Sequence, residues 1–114
     1  MTLLTDDCRT QLIDNGAARV RGEQRDPLPV VKLYTPDAHV VWLLTEIDPA
    51  DADRAYGLCD AGLGVPEFAQ VRLSELESIR GPRGLPIACD PHFTAKHPLS
   101  EYARRAQADG SIND

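Results

Sequence analysis

Between Val30 and Leu73 the chain alternates β-branched and aromatic apolar runs with acidic, proline and glycine breaks, the pattern of strands separated by turns. Residues 30–34 and 39–47 form the first two runs, and Thr35-Pro36-Asp37-Ala38 between them has hairpin length with proline at a favourable turn position. Strict alternation in the second run puts Val41, Leu43, Thr45 and Ile47 on one face and Val40, Trp42, Leu44 and Glu46 on the other. Both faces are largely apolar, so this strand is expected at the centre of the sheet. Asp48-Pro49 breaks it, and the acidic turn at 48–53 returns the chain into a third strand at 55–60. Ala61-Gly62-Leu63-Gly64-Val65-Pro66 is the next turn, leading to a fourth strand at 68–73. A four-stranded antiparallel meander is the simplest topology.

Helical signals flank this block. Thr5 is an N-cap with Asp6 and Asp7 in the first turn; Leu4, Cys8, Leu12 and Ile13 share a face; and Asn15-Gly16 reads as the stop of a helix over 6–14. Asp26-Pro27-Leu28-Pro29 forbids helix, so 17–29 reads as a loop into the sheet. Ser74 with Glu77 forms a capping box for a two-turn helix that stops by Gly81-Pro82. Residues 87–93 suit a short edge strand, because Pro91 is poorly tolerated in a central one. Leu99, Tyr102, Ala103 and Ala106 mark the buried face of a last helix, begun near Ser100 and ended by Gly110. The expected fold is a single α+β domain over 1–114, with two or three short helices packed on one face of the meander.

Composition narrows the class. At 114 residues the chain fits one domain, and 42% apolar with 26% charged residues is ordinary for a globular protein. The longest apolar run, Val40 to Leu44, is far short of a membrane span, and the first residues lack a basic signal-peptide region, so a cytoplasmic protein is expected. Cys8, Cys59 and Cys89 are odd in number and widely spaced, which suits packed free thiols. The net charge of −6 repels a phosphate backbone, leaving Arg19, Arg21 and Arg25 as the basic cluster for a nucleic-acid alternative.

The candidate chemistry is sparse. Glu46, Asp48, Asp60 and Glu67 sit at strand ends and turns, where carboxylates could meet to hold a cation or divide acid and base roles, but where they also serve to cap turns. The turn at 48–53 lacks the ligand spacing, central glycine and final glutamate of an EF-hand loop. Cys89, His92 and His97 have zinc-compatible types and spacing without a local fourth ligand, so no metal and no cofactor is expected. No basic residue flanks Cys59 or Cys89 to lower a thiol pKa, which argues against a nucleophile. Gly57, Gly62 and Gly64 do not fit a dinucleotide fingerprint and are expected to allow positive φ in turns. Trp42 is expected in the core; if instead it shares an open face with Tyr34, Tyr56 and Phe68, those four residues are the candidate groove.

Taken together, Trp42-Leu43-Leu44-Thr45-Glu46-Ile47-Asp48-Pro49, Tyr56-Gly57-Leu58-Cys59-Asp60-Ala61-Gly62-Leu63-Gly64, Pro66-Glu67 and Leu73-Ser74-Glu75-Leu76 resemble the bacterial domain-of-unknown-function family 2958. The likeness extends to the helix start Leu3-Leu4-Thr5, Pro29 through Pro36, Gly84-Leu85-Pro86, His92-Phe93 and Pro98-Leu99-Ser100, so it spans nearly the whole chain. It implies a small protein of plasmids, integrative elements and phage-like regions, encoded near transfer, partition and antirestriction genes, and it carries over no catalytic or binding residue.

The expected function is therefore that of an accessory protein acting by protein contact. In its sharper form it is an anti-restriction or anti-CRISPR inhibitor whose acidic patch of Asp48, Asp51, Asp53, Asp60 and Glu67 occupies the basic channel of a defence nuclease. A metal-dependent hydrolase using Glu46, Asp60 or His92 is the enzymatic alternative. Open strand edges at 30–34 or 68–73 leave the chain a monomer or a homodimer.

Overall fold

A computed structural model describes residues 3–23 and 25–113. Its elements run α1 (Asp6–Val20), β1 (Val31–Tyr34), β2 (Val41–Asp48), β3 (Asp51–Asp60), β4 (Glu67–Arg72), α2 (Leu73–Ser78), β5 (Ala88–Cys89) and α3 (Leu99–Asp109). The strands form one antiparallel sheet in the order β4-β3-β2-β1-β5. The meander is as expected, and a fifth strand is added to it: Ala88 and Cys89 pair with Tyr34 and Leu33, at the edge the Pro91 argument pointed to. The radius of gyration, 13.5 Å, is that of one domain of this length.

The helices do not share one face. Leu12 of α1 and Leu73 and Leu76 of α2 pack with Val31, Leu33, Trp42, Leu44 and Ile47, whereas Leu99, Tyr102, Ala103 and Ala106 of α3 pack with Leu43 and Leu58 on the other side. The strongly apolar alternation on both sides of β2 is the cause, because each face needs its own cover.

A β-bulge decides which residue faces which cover. Leu44 lies opposite Gly57 and Glu46 opposite Tyr56, leaving Thr45 as the extra residue. The added residue resets the alternation, so Ile47 joins Trp42 and Leu44 instead of Leu43, and Glu46 moves to the α3 face. Gly57 is in β3, not a turn: a Cβ there would lie 1.9 Å from Leu43 O, so only glycine lets the strands close at the bulge. Gly62 and Gly64 do have the positive φ expected of the turn.

Asn15 and Gly16 do not end α1, which continues to Val20. Gly16 is buried with its Cα against Ile47 O, where a Cβ would come within 1.9 Å, and Asn15 Nδ2 donates to Thr45 O at 2.8 Å, satisfying the bulge. These two residues seat the helix on β2; they do not stop it.

The capping box is also replaced. Ser74 lies inside α2, and its N–H and hydroxyl both donate to the Asp53 carboxylate of β3, at 2.8 and 2.7 Å. The same arrangement recurs at α3, where the N–H and hydroxyl of Ser100 donate to Asp26. Both helices begin Leu-Ser-Glu, and each takes its capping carboxylate from a remote segment.

Candidate functional site

The bulge, the C-terminal turn of α1 and the start of α3 enclose a groove of about 410 Å³ on the α3 face of the sheet. Its floor is Tyr56 of β3 and Phe68 of β4, whose rings lie nearly parallel with centroids 6.1 Å apart. Tyr56 packs, half-buried, against the Leu43–Leu58 cluster that α3 covers, whereas Phe68 remains 46% exposed. One wall is Arg19 of α1 bonded to Glu46 of β2 at 2.6 Å; the other is Pro27 with Leu99 and Ser100, held by Leu99 N donating to Pro27 O at 3.0 Å.

The electrostatics of the walls are largely satisfied internally. Glu46 raises the Arg19 pKa through their hydrogen bond and charge attraction. Burial, with the Glu46 charge, raises the Tyr56 pKa, so the phenol stays protonated and offers a donor to the groove. Arg25 and Arg21 both bind Glu23. The groove thus presents aromatic surface, one phenol, one amide from Gln70 and paired charges at its rim.

A second cleft, of about 320 Å³, opens on the same face beyond α3, beside Lys32, Tyr34, His39, Asp60 and Asp90. Asp60 is 4% exposed, and both its oxygens are engaged: Gly62 N and Ile112 N each donate at 2.9 Å, so this carboxylate holds the β3 turn and the segment after α3 together.

The residues expected to form one acidic patch are divided between the ends of β3. Asp48, Asp51 and Asp53 lie at the β2–β3 hairpin, while Asp60 and Glu67 lie about 20–30 Å away along the strand. Asp48 accepts from Ala50 N, Asp51 from Asp53 N, and Asp53 from Ser74, whose hydrogen bonds lower its pKa. Arg72 sits 3.8 and 3.9 Å from Asp51 and Asp53. The expected groove quartet is corrected likewise: Trp42 is in the core on the α1 face, Tyr34 borders the second cleft, and only Tyr56 and Phe68 adjoin.

Among the described residues no three His, Cys, Asp or Glu side chains gather into a group able to hold a metal ion. Cys89 is in β5, His92 is exposed with its N–H on Asp90, and His97 packs edge-on to Tyr102 at 5.3 Å. Glu46 and Asp60 line different clefts. All three cysteines are free and half-buried, and burial pushes the Cys59 and Cys89 thiols up, away from the thiolate a nucleophile needs. The walls formed by Arg19, Pro27 and Ser100 were missed in the sequence, because nothing local signals that α1 extends to Arg19 or that Asp26 reaches α3.

The fold defines a small α+β domain, a five-stranded antiparallel sheet covered by helices on both faces, with no described helix long and apolar enough to cross a membrane. The chain belongs to the family described as "Protein of unknown function (DUF2958)", whose model matches residues 3–113. No curated protein and no solved structure matches it.

Proposed function

We propose that this protein is a small accessory binding module of a mobile genetic element, acting by protein contact, and that the Tyr56–Phe68 groove is its contact surface. One observation carries the reading: the stacked Tyr56–Phe68 pair floors a groove in which Phe68 is 46% exposed, and the β3–β4 turn exposes Leu63 and Val65 as well. Apolar and aromatic surface of this kind supplies the anchors of protein interfaces, and it is kept open at a cost in solubility that a purely structural face has no reason to bear. The partner segment this groove suits is an aromatic or aliphatic side chain flanked by polar groups.

An anti-defence role fits the same surface better than charge mimicry. Asp48, Asp51 and Asp53 lie at one end of β3 and Asp60 and Glu67 at the other, with Asp60 buried, so the net charge of −6 is not gathered there into one acidic surface that imitates a phosphate backbone. For the nucleic-acid alternative, Arg19, Arg21 and Arg25 are likewise bonded to glutamates.

The test is an affinity pull-down from host lysate with the wild-type chain and a Tyr56→Ala variant of matched thermal stability. A defence nuclease or transfer protein retained by the wild type and lost with the variant is the expected result. Equal retention by both, or a purified protein carrying a bound metal with turnover, would overturn the reading.

A further inference from the structure

The sheet is unequally finished at its two edges. β5, two residues long, closes one side, while β4, six residues long, ends the other with no strand beyond it in the sheet order. Its middle, Phe68-Ala69-Gln70-Val71, has no charge, proline or bulge of the kind that protects open edges. The hydrogen-bond phase shows which groups are free. Thr35 N donates to Val40 O and Asp90 N to Lys32 O, so odd positions of β1 face β2 and even positions face β5. Carried through the registers Leu33↔Trp42, Leu43↔Leu58 and Gly57↔Ala69, this alternation turns the backbone N–H and C=O of Phe68 and Gln70 outward, together with the Arg72 N–H.

We infer that β4 pairs antiparallel with β4 of a second copy of this chain, with Gln70 on the two-fold axis. A two-fold perpendicular to the sheet keeps the same face on the same side, so outward residues must meet outward residues. Of the registers that satisfy this, those centred on Phe68, Val71 or Arg72 bring Pro66 or the helical Ser74 into a pairing position, which leaves those centred on Ala69 and Gln70. Centring on Ala69 brings Pro66, which has no N–H, against Arg72 and breaks the ladder. Centring on Gln70 sets the two amides against each other, Ala69 beside Val71, and Phe68 under Arg72 of the second copy.

That register is complementary in charge and shape. Phe68 already stacks on Tyr56, and the incoming guanidinium takes its free side in a cation–π contact made twice by symmetry. Arg72 is available for it, being 49% exposed and only loosely associated with Asp51 and Asp53. Glu67 falls opposite Leu73, so no like charges meet. The pairing joins the two aromatic floors across the axis, and it stands whether or not the groove binds another protein.

The experiment measures solution mass by light scattering over a dilution series, with thermal melts in parallel. The wild type is expected at the mass of two chains, dissociating on dilution. Gln70→Pro is expected at one chain, melting like the wild type diluted to single chains, because the N–H it removes points away from β3. Arg72→Gln, a second variant that leaves the ladder intact, is expected to weaken association about tenfold. Gln70→Cys is expected to give a reducible cross-linked dimer on mild oxidation where the wild type, with its three native thiols, does not, since facing residues of a hydrogen-bonded pair lie about 5.5 Å apart at Cα. A wild-type mass of one chain, a dimer unaffected by both Gln70→Pro and Arg72→Gln, or no Gln70→Cys cross-link would overturn the inference.

Discussion

On the face covered by α1 and α2, Leu12, Leu33, Leu44 and Ile47 are at most 1% exposed, whereas on the α3 face the cover thins, leaving Tyr56 half-buried and Phe68 exposed. Two physical differences separate the faces. α1 has 15 residues and meets β2 through a glycine, so backbone lies on backbone; α3 has 11 and rests on side chains, fully burying Leu43 and Leu58 and only partly covering Val41 and Tyr56. The first face stores stability, and the second leaves surface available for contact.

Removing side-chain volume from the closed face has the largest expected effect. Leu44→Ala should cost about 2–5 kcal/mol in urea unfolding, since the surrounding helix and strands cannot collapse into the space. Gly16→Ala sharpens the comparison because intrinsic helix propensity favours alanine by about 1 kcal/mol. Against that gain, the Ile47 carbonyl sits where the new methyl group would go, and a net loss of about 1–3 kcal/mol is expected. A stabilised Gly16→Ala would mean α1 does not lie as close as the geometry has it.

Asp60→Ala comes next. It strands the N–H groups of Gly62 and Ile112, which should cost about 1–3 kcal/mol and speed proteolysis near residues 110–113. On the open face Phe68→Ala should cost only about 1 kcal/mol, the worth of an exposed aromatic pair. If it cost as much as Leu44→Ala, the distinction between the faces would collapse.

The smallest effect is pH dependence at the surface of α3. Arg104 and Arg105 hold the Glu101 carboxyl down to about 2 from an ordinary 4.5. A carboxyl depressed in the folded state stabilises it above the unfolded value, and that contribution fades as pH falls through the folded one. Wild type should therefore lose more of its melting temperature than Glu101→Gln between pH 4.5 and about 2. Because these ion pairs lie at the surface, the gap should be small and shrink with added salt. A gap that stays constant across that range would contradict the assignment.

Much of the fold was legible because its signals are local. The β1–β2 hairpin, the central place of β2, the buried stripe of α3 and the ends of two helices at Thr5 and Gly110 each depend on residues within a few positions of one another. The groove was legible only in part. Tyr56 and Phe68 could be picked out as aromatic residues of neighbouring strands, but grouping them with Tyr34 and Trp42 failed, since strand alternation alone does not say which faces of different strands coincide or where a helix stops covering them.

The sequence by itself determined an antiparallel α+β meander, its family, its free thiols and the burial of Trp42, because periodicity, turn chemistry and apolar content act over short stretches. Tertiary structure alone decided the rest. Asn15 and Gly16 seat α1 where local rules read a stop, Asp53 and Asp26 cap helices from a distance, and the bulge at Thr45 exchanges the faces of Glu46 and Ile47. Each of these depends on what a residue meets across space, and pairing partners, unlike propensities, are not written beside the residue they control.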